Sequence, residues 1–157
     1  MSFIENIKTL IELIKYTAKG FSICKSFQIL ELKKQDIRDE IIEFGTMNYE
    51  ESLIKYIPKK PKKIYFSNLF NVKSKNYFCI NLEKNNKIKK RFKNILAFNI
   101  LEHIHNDSHA LDELKKLLKK KGKLIISTPF LYRYHHAPKD YKRYTVDYFE
   151  KILKNKK

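Results

Sequence analysis

The chain has 157 residues, a length typical of one domain with a sizeable apolar core. Hydrophobic residues at 43% and aromatic residues at 13% exclude a disordered tail, and only three Gly and four Pro exclude a collagen-like or linker sequence. The formal net charge is +17, but 30 of the 34 basic residues are lysine, whereas specific nucleic-acid contacts favour arginine, so a nucleic-acid partner is not expected.

The cysteines and the apolar runs bear on the compartment. Cys24 and Cys79 have no C-x-x-C spacing, and the N-terminus has no small-residue cleavage site of a signal peptide. These features predict a reducing, cytoplasmic location. Charged or amide residues interrupt every apolar run before it reaches 18 residues, so no membrane span is expected.

The first part of the chain has helical patterning. Apolar residues recur every three or four positions over residues 2–19, which is typical of an amphipathic helix that ends at Gly20. Residues 21–38 are expected to form a second helical segment. We therefore predict an N-terminal helical segment over residues 1–38 and a separate domain over residues 39–157.

Short apolar runs follow, which are typical of buried strands. Glu40–Gly45 is the first, Tyr77–Asn81 the second and Ile95–Leu101 the third. A short helix is expected over Asn48–Tyr56. The proline- and lysine-rich stretch Pro58–Lys75 is expected to be a surface connection.

The third run is followed by a clear helix and a fourth strand. The helix is capped by Asp107 or Ser108, carries a leucine stripe and is expected to end at Gly122. Lys123–Ser127 is the next strand, and Thr145 can cap a last short helix. Strand, helix and strand in succession imply a right-handed crossover, so we predict an α/β fold with a mostly parallel sheet and flanking helices.

Ligands of such sheets bind outside the carboxyl ends of the strands. The polar residues and the glycine at these ends are therefore the candidate site residues: Glu43, Gly45, Asn81, Glu83, Asn99, Glu102 and His103. Each also has a purely structural interpretation, as a turn, a strand end or the start of a helix.

Three motifs in the second half resemble a known family. They are Asn99–Ile104 (NILEHI), Leu117–Pro129 (LLKKKGKLIISTP) and His136–Thr145 (HAPKDYKRYT). Their order and spacing resemble the class I S-adenosylmethionine-dependent methyltransferases, in particular a subgroup common in bacterial gene clusters, including those for surface polysaccharides. The resemblance is good over residues 95–153 and poor over residues 39–94, and it implies a Rossmann-like sheet.

The resemblance implies S-adenosylmethionine as cofactor. Glu43 and Gly45 match the acid and the first glycine after the first strand of the family. Asn81 stands where the family has an Asp that binds the ribose hydroxyls, and Glu83 is its candidate substitute. The resemblance also implies that Asn99 and Glu102 line the edge of the cofactor.

The resemblance further implies methyl transfer to an oxygen or nitrogen of an unknown acceptor, a small molecule or a saccharide. His103 and His136 are the candidate catalytic bases, because a neutral imidazole can take a proton from a hydroxyl. Asp140 and Arg143 are the candidate acceptor-binding residues.

The sequence departs from the family in ways that keep an alternative open. The later glycines of the first turn are absent, residues 82–94 are too few for the usual third strand, and the chain stops at Lys157 before the last two family strands. These departures predict a shortened domain, with a second copy in a homo-oligomer as one possible source of the missing strands. The alternative function is an inactive remnant that serves as a binding or partner module, and a basic nucleic-acid binder is a third.

The histidines do not predict a metal site. His103, His105 and His109 lie within seven residues, Asp107 is near them in sequence, and His135 and His136 lie downstream. No cysteine joins them, and their spacing matches no standard zinc motif.

Overall fold

A computed structural model describes residues 3–135 and 138–154 of the protein. The elements in chain order are α1 (Phe3–Ala18), α2 (Ile23–Lys33), β1 (Ile41–Phe44), a 3-10 helix (Leu53–Tyr56), β2 (Ile64–Asn68), β3 (Tyr77–Cys79), β4 (Phe92–Phe98), a second 3-10 helix (Leu101–His103), α3 (Asp107–Leu117), β5 (Leu118–Ser127) and α4 (Val146–Lys154). No helix within the described residues is long and apolar enough to cross a membrane.

The five strands form one parallel sheet in the order β3-β2-β1-β4-β5. β1 lies at the centre, where Ile42 is opposite Tyr65 of β2 and Ile95 of β4. This arrangement confirms the predicted α/β fold with a parallel sheet. From β1 the chain adds β2 and β3 on one side of the sheet and then β4 and β5 on the other, so the strand order reverses between β1 and β4. Ligands of sheets of this kind bind at such a reversal.

Successive residues of a strand point to opposite faces of the sheet, and both faces carry buried apolar side chains. Helices cover both faces. On one face Ile42, Ile95 and Ala97 pack with Leu111 and Leu114 of α3. The other face is covered by α2 and the 3-10 helix, whose buried apolar residues include Ile29, Leu32 and Ile54. Side chains that follow the strands at the carboxyl edge are thereby held between two packed layers.

The N-terminal helices form near their predicted positions. α1 ends before Gly20, which has a φ of +86°, and Ser22 caps α2 by accepting a hydrogen bond from the peptide N–H of Lys25 at 3.2 Å. At the other end of the chain, Thr145 accepts from the peptide N–H of Tyr148 at 3.2 Å, as predicted for the cap of α4. Local capping chemistry accounts for these boundaries.

The prediction for Pro58–Lys75 was wrong. Ile64–Asn68 within it is the second strand, paired with β1 on one side and β3 on the other. Tyr77–Cys79 is consequently the third strand, so the expectation that the chain lacks a third strand was also wrong. Prolines and lysines flank this strand, and their local preference for loops led to the wrong prediction.

Two further boundaries differ from the prediction. The short helix expected over Asn48–Tyr56 is a 3-10 helix over Leu53–Tyr56. α3 ends at Leu117, and Gly122 lies inside β5, next to a shift in register with β4. A Cβ on Gly122 would approach the carbonyl oxygen of Lys93 to 2.8 Å, so close backbone packing accounts for this glycine.

Candidate functional site

The pocket

A pocket of about 610 Å³ opens at the carboxyl edge of the sheet, where the strand order reverses. Its walls come from the ends of β1, β2 and β4 and from the loop after β3. They consist of Phe44, Gly45, Ser67, Asn68, Leu69, Phe70, Ile80, Asn81, Leu82, Glu83, Asn99, Ile100, His103, Ile104 and Pro138. Most of the lining is apolar, with a few polar groups, as is usual for a site that binds a small organic molecule.

Gly45 forms the turn after β1. Its φ is +80°, a backbone conformation that residues with a side chain rarely adopt. Its peptide N–H donates to the carbonyl oxygen of Ser67 at 2.7 Å. A Cβ built on Gly45 would lie 2.6 Å from Cδ1 of Ile100. Both the backbone and the available space therefore require glycine at this wall of the pocket.

Glu43 lies behind the pocket and does not line it. Its buried carboxylate accepts hydrogen bonds from the Ser52 hydroxyl and, at 3.3 Å, from the peptide N–H of Leu53. Burial raises the pKa of the Glu43 carboxyl, while these donors lower it. In this structure Glu43 holds the loop after β1 against the start of the 3-10 helix.

Asn68 follows β2 directly and lines the pocket. Its Oδ1 accepts from the peptide N–H of Leu69 at 2.7 Å, and its Nδ2 lies 3.4 Å from the sulfur of Met47. The order of the strands places Asn68 at the position that the sequence analysis gave to Asn81. Ser67, just before it, has a buried hydroxyl without a hydrogen-bond partner among the described residues.

Asn81 and Glu83 line the same pocket from the loop after β3. Oδ1 of Asn81 accepts from the peptide N–H of Glu83 at 2.9 Å. Oε1 of Glu83 accepts from the peptide N–H of His105, also at 2.9 Å. Asn81 therefore orders the loop itself, Glu83 ties it to the segment after β4, and their role toward a cofactor stays a prediction.

Asn99 ends β4 with a φ of +54°. Its Oδ1 accepts from the side-chain amide of Gln28, which also donates to Oγ of Ser127 at 3.0 Å. Gln28 lies on α2, so a residue of the N-terminal helices fixes one wall of the pocket.

The cluster beside the pocket

Glu102 is fully buried in the second 3-10 helix and does not line the pocket. Neither of its carboxylate oxygens has a hydrogen-bond partner among the described residues. Burial raises the pKa of the Glu102 carboxyl; its own peptide N–H, His103 and Arg143 act in the opposite direction. A buried carboxylate without partners is costly and calls for an explanation.

His103 lines the pocket and lies beside Glu102, with Nε2 3.9 Å from Oε1. Its Nδ1 donates to the carbonyl oxygen of Lys139, so the neutral form of the ring carries its proton on Nδ1 and its lone pair on Nε2. The ring of His135 packs edge-on against that of His103, with ring centroids 5.0 Å apart. His136, the other predicted base, lies outside the described residues.

Asp140 and Arg143 pair with each other. Both carboxylate oxygens of Asp140 accept hydrogen bonds from the guanidinium, which holds the pKa of this carboxyl well below its usual range. Asp140 also accepts from the peptide N–H of His135 at 3.0 Å. The pair thus shapes the loop over Glu102, and contact with an acceptor stays a prediction.

The segment after Pro138 is fastened to the second 3-10 helix. The peptide N–H of Tyr141 donates to the carbonyl oxygen of Glu102 at 2.8 Å, and the buried hydroxyl of Tyr144 donates to that of Leu101 at 2.9 Å. The buried hydroxyl gives Tyr144 a structural role in this motif, whereas the described hydrogen bond of Tyr141 uses its backbone.

Sequence reasoning missed four residues at this edge: Gln28, Ser67, Asn68 and His135. Asn68 had a usable signal, because Ile64–Asn68 combines β-branched and aromatic residues with an amide at its end. Gln28 and His135 had none, since their partners lie far along the chain or depend on the fold of a loop.

The class of the protein

The parallel sheet with helices on both faces and a pocket at the reversal of strand order defines the class as a Rossmann-like α/β domain. A family model described as a methyltransferase domain matches residues 16–154. The protein belongs to this methyltransferase domain family, whose members generally use S-adenosylmethionine. Comparisons with curated proteins and with solved structures give no significant match.

Proposed function

We propose that the protein binds S-adenosylmethionine in the pocket beside Gly45 and transfers its methyl group to an oxygen or nitrogen of an acceptor. The observation that carries the proposal is the position of the pocket at the reversal of strand order in a chain of the methyltransferase domain family.

The residues present fit this cofactor. Gly45 lines the pocket without a side chain, and its turn conformation lets the backbone approach a ligand closely. Asn68 supplies an amide that can bond a ribose hydroxyl, and the orphaned hydroxyl of Ser67 lies beside it. An amide lacks the charge of the usual carboxylate, which weakens such a hydrogen bond by about 1 kcal/mol.

S-adenosylmethionine, when bound, supplies an activated methyl group on its sulfonium. The chain has to align the acceptor and exclude water. Phe44, Ile80 and Ile100 provide apolar walls, and Asn99 is held in place by Gln28. His103 carries an Nε2 lone pair at the edge of the pocket and is the proposed acceptor of the proton from a hydroxyl.

A saccharide is the acceptor class we propose, in a cytoplasmic reaction. The segment that precedes Pro138 in sequence exposes the aromatic side chains of Phe130 and Tyr132, and aromatic faces provide flat apolar surfaces with a negative quadrupole for C–H groups. Asp140 and Arg143 order the loop on the same side. Cys24 and Cys79 are both free thiols, in keeping with a reducing compartment.

Calorimetric titration with S-adenosylmethionine and S-adenosylhomocysteine tests the proposal. We expect micromolar binding by the wild type and at least tenfold weaker binding by Asn68→Ala. Asn85→Ala, an exposed amide outside the pocket, is the matched control and should bind like the wild type. No heat at millimolar cofactor from folded protein contradicts the proposal.

The alternative is a binding module without turnover. The absence of a carboxylate at Asn68 and Asn81 favours it, because amides stand at both candidate positions for the ribose-binding Asp of the family. Transfer of a labelled methyl group to a panel of saccharides distinguishes the two functions: cofactor binding without labelled product across the panel supports the module.

A further inference from the structure

We infer that Glu102, His103 and His135 form a binding site for a divalent first-row transition cation such as Zn²⁺. The ligand atoms of these three residues lie within 4.8 Å of one another, and no other such group of described histidine, cysteine and acidic residues was found. The inference does not depend on the proposed function, since it concerns the empty protein and a metal ion alone.

The first argument is the state of Glu102. Its carboxylate has no exposed surface and no hydrogen-bond partner among the described residues, and an uncompensated buried charge is strongly destabilising. Arg143 is the nearest guanidinium that acts on it, but both of its terminal nitrogens are bonded to Asp140. A bound cation gives Glu102 the partner that the protein does not supply.

The second argument is the orientation of His103. Its Nδ1 is bonded to a backbone carbonyl oxygen, that of Lys139, so the unprotonated Nε2 faces Glu102. Metal-binding histidines usually have their second ring nitrogen fixed in this way by a carbonyl or a carboxylate. The tautomer needed for coordination is thus already set.

The third argument is the support of His135. Nδ1 of its ring lies 3.3 Å from a carboxylate oxygen of Asp140, and Asp140 is itself anchored by Arg143. The ring is half-buried and packs against His103, with ring centroids 5.0 Å apart. The buried Nδ1 has no hydrogen-bond partner among the described residues, so a small rotation of the ring would let it donate to Asp140, as carboxylates often accept from metal-binding imidazoles.

The distances are compatible with one ion after a small adjustment. Ligand atoms about 2.0–2.2 Å from a tetrahedral cation stand about 3.4 Å apart. Nε2 of His103 and Oε1 of Glu102 are 3.9 Å apart, and the widest pair is within 4.8 Å. The groups must therefore draw together by at most about 1.4 Å.

The donor set selects the class of metal. Two imidazoles and one carboxylate suit Zn²⁺, Co²⁺ or Fe²⁺, whereas Ca²⁺ and Mg²⁺ prefer oxygen ligands throughout. With only three protein ligands, a coordination position stays open to water or to an acceptor oxygen. The ion would use the Nε2 lone pair of His103, so bound metal and proton transfer by His103 are mutually exclusive.

Titration of untagged, chelator-stripped protein with Zn²⁺ tests the site, and Co²⁺ provides a visible absorption spectrum as a second readout. We expect one equivalent to bind and to raise the melting temperature. Glu102→Gln and His135→Ala should each weaken binding at least 100-fold. His105→Ala removes an exposed imidazole outside the cluster and is the matched control.

Glu102→Gln also distinguishes loss of the metal site from loss of the fold. Removal of an unpartnered buried charge should leave the metal-free protein at least as stable as the wild type while abolishing the melting shift with Zn²⁺. Equal Zn²⁺ affinity in the wild type, Glu102→Gln and His135→Ala overturns the inference, as does the absence of saturable binding by the folded wild type.

Discussion

The side-chain amide of Gln28 donates a hydrogen bond to Oδ1 of Asn99 over 2.9 Å, across 71 positions of sequence. Gln28 is buried on α2, and Asn99 ends β4 at the pocket wall. The N-terminal helices are therefore part of the candidate site, in agreement with a family match that begins at residue 16 and includes α2.

Gln28→Ala should weaken both the fold and the pocket. The change leaves the polar groups of Asn99 and Ser127 without their shared donor, and we expect a loss of about 1–2 kcal/mol in the free energy of unfolding. Urea unfolding measures this loss, and titration with S-adenosylmethionine should show weaker binding.

Gln35→Ala is the control for this change. Gln35 is partly exposed, follows α2 and bonds Lys123 and the carbonyl oxygen of Glu31, away from the pocket. A Gln28→Ala protein that unfolds and binds like Gln35→Ala contradicts the role assigned to Gln28.

The two positive-φ glycines allow backbone strain to be separated from loss of space. Gly20→Ala adds a Cβ that meets nothing within 4 Å, so it should cost only the left-handed conformation, about 1–2 kcal/mol. Gly45→Ala has the same conformational cost plus a contact of 2.6 Å with Ile100. We expect Gly45→Ala to be clearly less stable than Gly20→Ala in thermal melts.

Ile100→Val supplies the test of the steric part, because it removes the Cδ1 atom that the new Cβ would meet. The double change Gly45→Ala with Ile100→Val should recover part of the lost stability relative to Gly45→Ala. Cofactor binding should be reduced in Gly45→Ala and unaffected in Gly20→Ala. Equal melting temperatures for the two alanine variants contradict this account.

The sequence predicted those elements whose pattern lies within their own segment, and it missed an element that depends on pairing with distant strands. The continuous apolar run around Ile95 and the leucine stripe of α3 belong to their own segments, and both elements formed near the expected positions. β2 is different, because Ile64–Asn68 becomes a strand through pairing with β1 and β3, and its flanking lysines and prolines indicate a loop. Because of this error, the residue after the second strand was taken to be Asn81, whereas the second strand ends at Asn68.

The candidate site was predictable only in part for the same reason. Gly45, Asn99 and His103 follow strands and were found by that rule. Glu102 was found too, but its lack of a partner is a property of the packed structure. The approach of His135 depends on the turn that Asp140 and Arg143 hold, which no spacing in the sequence indicates.

The hydroxyl of Tyr144 should stabilise the segment over the second 3-10 helix. It is buried and donates to the carbonyl oxygen of Leu101, so Tyr144→Phe should lower the free energy of unfolding by about 1–2 kcal/mol. Tyr141→Phe is the control, because the described contact of Tyr141 with Glu102 uses its backbone N–H. Chemical unfolding of both variants makes the comparison, and a loss in Tyr141→Phe as large as in Tyr144→Phe contradicts it.

Glu113 on α3 should make stability depend on pH in the acid range. Its buried carboxylate accepts hydrogen bonds from the peptide N–H of Asn86 at 2.9 Å and from Lys116 at 2.6 Å. Although burial raises the pKa of the Glu113 carboxyl, these donors outweigh it and lower the pKa to about 2. The contact joins the loop after β3, which carries Asn81 and Glu83, to α3.

The direction in which stability changes with pH follows from the lowered pKa of Glu113. The charged carboxylate favours the folded state at every pH above the unfolded value of 4.5, and this contribution is lost as the pH falls from 4.5 toward 2. Glu113→Gln keeps the shape and removes the charge, so it should be about 1 kcal/mol less stable than the wild type at pH 7, where the exposure of Lys116 limits the effect. The difference between the two free energies of unfolding, measured with urea, should disappear toward pH 2. A difference that stays constant between pH 7 and pH 2.5 contradicts the role of the charge.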